Sequence, residues 1–119
     1  MRWASVMLAA VVVLVAAPAW ADFKAGEEAH QRGDYATALK EFRPVAQQGD
    51  ADAQFILGVM YSKGQGVPQD DVQAYMWVNL AAAQGIEDAR KARDILAKHM
   101  THAQMDEARR LAREWTPKQ

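Results

Sequence analysis

The chain has 119 residues, with 14 Lys and Arg against 15 Asp and Glu, a formal net charge of −1, and no cysteine. So even a balance gives no basic surface for nucleic acid or for an anionic membrane, and the lack of cysteine excludes a disulfide framework and thiolate chemistry. A chain of this size builds one domain with a modest core, so its stability has to come from close packing of its elements.

Met1-Arg2 supplies a positive start, Val6 to Ala17 is an unbroken apolar run, and Pro18 precedes the small-residue pattern Ala19-Trp20-Ala21. These are the charged, apolar and cleavage regions of a secretory signal peptide over residues 1–21, cut after Ala21. The apolar run falls short of the roughly 20 residues of a membrane span. The expectation is therefore a periplasmic or secreted protein with no membrane insertion once the leader is cleaved. The alternative is a membrane-anchored structural protein that keeps its leader.

From Asp22 onward the apolar spacing is helical, and the interruptions fall where helices stop. A short helix carrying Phe23, Gly26 and His30 ends at Gly33. Asp34 is placed to cap Tyr35 to Gln47, and Asp50 to cap Ala51 to Lys63, each carboxylate accepting from a first-turn N–H. Asp70 and Gln73 have the spacing of a capping box before a helix that runs to Gln84 and stops at Gly85. Ile86 to His99 and Thr101 to Trp115 complete six helices in three antiparallel pairs, with Thr101 and Gln104 again three apart.

The chain repeats itself. "ALKEFRPVAQQGDADA", from Ala38, lies over "AYMWVNLAAAQGIEDA", from Ala74, at an offset of 36, while Phe23 and Gly26 lie over Phe55 and Gly58 at an offset of 32. The difference is absorbed by the loop "YSKGQGVPQDD", Tyr61 to Asp71, which a turn between helices tolerates. Gly58 and Ala74 are small residues suited to a close helix crossing, and each hairpin has too little core to stand without its neighbour. Fold class follows: all-α, a short solenoid of antiparallel helix hairpins.

Residues 53–85 carry a recognisable pattern. Ala53, Leu57-Gly58, Tyr61, Gly64, Gly66-Val67, Asp70, Ala74, Trp77, Ala81-Ala82 and Gly85 resemble a Sel-1-like repeat, the tetratricopeptide-like helical hairpin of exported bacterial proteins among others. The resemblance divides the chain into a first tetratricopeptide-like hairpin at 22–49, the Sel-1-like repeat at 50–85, and a C-terminal capping hairpin with a short tail at 86–119. The last unit lacks the Leu-Gly pair and has Arg93 and Asp94 in those places.

Little in the chain suggests chemistry. In the glycine loop Lys63 comes first, a helix precedes it, and Pro68 removes an N–H that a phosphate cradle would use, so the loop is expected to be a turn. Ser62 is the only serine after the leader, with no nucleophile-elbow context. His99, His102 and Asp106 are the one set that could ligate a metal, which gives the alternative of a metal-assisted hydrolase acting on envelope or antibiotic substrates. On the closing helix, pairs Asp106–Arg110 and Arg110–Glu114 are expected on the solvent side, with Met105, Ala108, Leu111, Ala112 and Trp115 opposite. Trp77 and Trp115 are expected in the packing. No catalytic residue, metal or cofactor is assigned.

The resemblance implies a non-enzymatic adaptor or scaffold that binds a protein or peptide in the groove of its first helices. Carried onto this chain, the groove positions are Phe23, Glu27, His30 and Gln31 on the first hairpin. On the second they are Asp52, Phe55, Val59, Ser62 and Lys63. Association of two copies through the apolar ends of the solenoid is a further expectation.

Overall fold

The computed structural model describes residues 19–118. Residues 1–18, with the charged and apolar parts of the expected leader, lie outside the described residues. Six helices and no strand occur among the described residues: α1 (Ala19–Gln31), α2 (Tyr35–Gln47), α3 (Ala51–Lys63), α4 (Asp71–Ala83), α5 (Glu87–Ala97) and α6 (His102–Glu114). None is long and apolar enough to cross a membrane.

The caps fix the boundaries. Asp34, Asp50 and Asp70 accept from the backbone N–H of Thr37, Ala53 and Gln73 at 3.3, 2.9 and 3.1 Å. The Thr37 side chain, and then its backbone N–H, hold the Asp34 carboxyl below its ordinary value, so this cap stabilises the fold above the usual carboxylate range and is lost on acidification. The reciprocal bond of a capping box forms at Thr101 and Gln104. At Asp70 no reciprocal bond from Gln73 forms, and Gln69 instead reaches Asp71.

The helices pack as α1 on α2 and α3 on α4, with α2 against α3 and α4 against α5 joining the units. At the middle crossing a Cβ on Gly58 would stand 2.5 Å from Val78 Cγ2 and 3.1 Å from the Ala74 carbonyl oxygen. Gly26 meets the ring of Phe42, which stands 36 residues before Val78, at 2.9 Å in the same way. Around these crossings lies a core of Phe42, Val45, Leu57, Met60 and Trp77, continued by a second cluster of Val78, Ala81, Ala82 and Ala89. Each large side chain buried there stabilises the fold by about 1.5–3 kcal/mol.

The third pair departs from the other two. α6 packs on α4, and α5 and α6 scarcely touch each other. The physical reason lies at the crossing itself, where the bulky, charged Arg93 and Asp94 replace the Leu57-Gly58 pair. Trp115 meets Trp77 edge to face at 6.2 Å, and the Lys118 N–H donates to the Gln47 carbonyl at 2.7 Å, so the tail returns to the first unit. Arg110 pairs with Glu114 at 2.9 Å and with Glu107, rather than with the expected Asp106.

One polar group runs through the core. Gln54, 0% exposed, donates to the Ala46 carbonyl at 3.2 Å and accepts from Gln84 Nε2 at 2.9 Å, while the same Nε2 reaches the Gly49 carbonyl. This chain of bonds joins α2, α3 and the end of α4, and leaves no buried side-chain polar atom unpaired among the described residues.

Two outcomes are expected. Gly58→Leu lowers stability by about 1–3 kcal/mol or more, read as a shifted urea midpoint; an unchanged midpoint contradicts the crossing. In a double-mutant cycle, Gln54→Ala and Gln84→Ala couple by about 0.5 kcal/mol or more, whereas additive losses would show that the two amides act separately.

Candidate functional site

The first helices α1, α3 and α5 form one side of the solenoid, and two depressions run between them. The first, about 320 Å³, has a floor of Phe42, Phe55, Ile56 and Val59 and a rim of Glu27, His30 and Gln31. The second, about 270 Å³, lies between α3 and α5, where Val59, Ser62 and Lys63 face Ala92, Ile95 and Leu96. Val59 lines both, so the two adjoin along α3 and are taken together as the groove.

Local folding explains why apolar groups face outward here. The crossing at Gly58 turns Leu57 and Met60 into the core and leaves Val59 half-buried on the opposite side of α3. Phe55 is half-buried and rests on the second core cluster, so it is held from beneath while its other side lines the groove. On the rim, His30 Nε2 lies 3.2 Å from Gln65 Oε1 and its ring packs on Tyr35 at 5.2 Å. The glycine loop is thereby tied to the first unit. Gly66 approaches so closely that a Cβ there would stand 2.8 Å from the Tyr35 carbonyl oxygen.

The structure thus brings together Glu27, His30, Gln31, Phe55, Val59, Ser62 and Lys63 from the positions singled out in the sequence. Phe23 and Asp52 are elsewhere. Phe23 stacks edge to face on Phe42 at 5.4 Å, inside the first hairpin, and Asp52 is exposed on the first turn of α3. Ile95, with 59% of its surface exposed, was not among those positions, although it stands 36 residues after Val59 and the repeat offset pointed to it.

No reaction centre is assembled from the candidate residues. The N–H groups of Gly64 and Gln65 both donate to the Met60 carbonyl, so the start of the glycine loop closes α3 instead of offering donors to a phosphate. Ser62, Asp71 and His99 line a common depression of about 340 Å³, yet Ser62 Oγ donates to the Val59 carbonyl, Asp71 accepts from Gln69, and no hydrogen bond links the three. His99, His102 and Asp106 are all exposed, and among the described residues no three His, Asp or Glu side chains converge to hold a metal.

Comparison with known proteins agrees with this architecture. A family model described as the Sel1 repeat matches residues 51–86. The chain is 35% identical over 65 residues to an exopolysaccharide production negative regulator of Rhizobium leguminosarum bv. viciae, and 32% identical over 65 residues to one of Rhizobium meliloti. Each match covers 55% of this chain and 24% of the relative, so the likeness spans about a quarter of those proteins. In structure the chain is similar to a protective antigen of uropathogenic Escherichia coli displaying an SLR fold, with a TM-score of 0.76 and 31% identity over 82% of this chain and 22% of the antigen. The Sel1 repeat generally builds scaffolds for protein interaction. With that repeat at its centre and a helical unit stacked on either side, the chain is a Sel1-like repeat protein.

Proposed function

We propose that the protein is an exported, non-enzymatic interaction module that holds a segment of another protein in the groove of α1, α3 and α5. The observation that carries this reading is the apolar row Phe55, Val59 and Ile95, presented outward across two helices with Ile95 59% exposed. Apolar side chains held open between polar rims suit a partner's apolar side chains, whose burial supplies affinity while Glu27, Gln31 and Lys63 set orientation. The groove spans only three helices, so it accommodates a short segment.

Export rests on the leader-like residues 1–21, and the envelope is therefore where the partner is sought. The curated relatives carry the name of regulators rather than of enzymes. A module of this kind would act by bringing a partner into place, with no bond made or broken.

The test is site-specific photo-cross-linking in the bacterial envelope. A photoreactive residue at Val59 or Ile95 should give a discrete adduct with a second protein, and one at Lys40, exposed on α2, should not. Ile95→Asp should abolish the Val59 adduct while changing stability by no more than about 0.5 kcal/mol, as expected of an exposed position. Equal adducts from Lys40, or indifference to Ile95→Asp, would contradict the groove; an adduct of twice the chain's own mass would replace the foreign partner with a second copy.

A further inference from the structure

A larger cavity lies away from that groove. Between α4, α5 and α6 there is a cleft of about 630 Å³, the size of a ligand site, lined by α4 together with the one hairpin that does not close. Repeat positions explain its origin. Asp94 stands 36 residues after Gly58, and Arg109 stands 31 after Val78, the same distance that separates the caps Asp70 and Thr101. Where Gly26 meets Phe42 and Gly58 meets Val78, the last unit has a carboxylate opposite a guanidinium.

The lining is predominantly positive and apolar beneath. Arg93, Arg109 and Arg113 face a single carboxylate, Asp94, in a chain whose net charge is −1. Arg93 is already engaged, with Asp94 at 3.7 Å and with Asn79 Oδ1 at 3.3 Å. Arg109 and Arg113 have no ion-pair or side-chain hydrogen-bond partner among the described residues. Standing four apart, the two guanidinium groups share a face and repel each other, a cost that an anion between them removes. Below them Leu80, Ala97, Met105 and Ala112 supply apolar surface.

We propose that this cleft is a second binding site, for an acidic peptide segment in which a carboxylate side chain neighbours an apolar one. Paired guanidinium forks receive the carboxylate, and the apolar floor receives the adjacent side chain; a free anion or an acidic sugar would leave that floor uncovered. Asp94 weakens the site by holding Arg93 and by repelling the incoming carboxylate. The site is independent of the groove on the α1, α3 and α5 side, and the two can be occupied together.

The test follows backbone amide shifts of the full chain by NMR during titration with acetyl-Glu-Leu-Glu-Leu-amide. Parallel titrations use its Gln-Leu-Gln-Leu analogue, free glutamate and inorganic phosphate. The acidic peptide should give saturable shifts at Leu80, Ala97, Met105 and Ala112 that weaken as salt is raised. Arg109→Gln with Arg113→Gln should weaken binding about tenfold or more, and Asp94→Asn should strengthen it, an increase that a merely structural role would not produce. The proposal is overturned by equal affinity for the Gln analogue, for glutamate or for phosphate. Shifts centred on Phe55 and Ile95, or indifference to the Arg and Asp substitutions, would overturn it equally.

Discussion

The closeness of α3 and α4 at Gly58 is the constraint on which the remaining structure depends. With 2.5 Å between a notional Cβ and Val78, only a residue without a side chain permits that approach. The approach in turn fixes the rotation of α3. Leu57 and Met60 are carried into the core, Gln54 is carried to the amide of Gln84, and Phe55 and Val59 are left half-buried along the groove. A groove residue in this protein is therefore a residue that the crossing turns outward.

The same position read along the chain accounts for two kinds of surface. Glycine at 26 and 58 closes a hairpin, so the open surface lies outside it, between successive first helices. Aspartate at 94 accompanies an open hairpin, and the interior that would have been core becomes a polar-rimmed cleft. Energetically the open unit gives up apolar burial, and the return of the tail offsets part of that loss. Trp115 covers Trp77, and the Lys118 N–H joins the first unit. The third unit is thus tied to the core by Trp115 and Lys118 on one side and left open at its cleft on the other.

Much of this was legible in the sequence because it rests on local chemistry. Asp34, Asp50, Asp70 and Thr101 mark helix starts through bonds to residues three positions on, and Gly58 is marked by its place in a repeated pattern. The groove was legible as far as its register, which placed Glu27, His30, Gln31, Phe55 and Val59 on one side. Phe23 shows where register fails: it obeys the same offset as Phe55, yet the large ring of Phe42, where the next unit has Val78, gives it an aromatic partner inside its own hairpin. Ile95 was not read although it continues the Val59 register at an offset of 36, and the cleft was not read because it depends on how far α5 and α6 stand apart. Nor did spacing separate Glu107 from Asp106 as the partner of Arg110, because a helix brings residues at both three and four positions within reach.

The central claim is that a partner segment lies along the α1, α3 and α5 side. It is tested most directly by hydrogen–deuterium exchange on the chain isolated with its envelope partner, compared with the free chain. The account expects slowed exchange over residues 55–63 and 92–99, the stretches that carry Phe55, Val59 and Ile95. Protection confined to the exposed side of α2, around Lys40 and Pro44, would contradict it, as would a bound partner that leaves exchange along α3 unchanged.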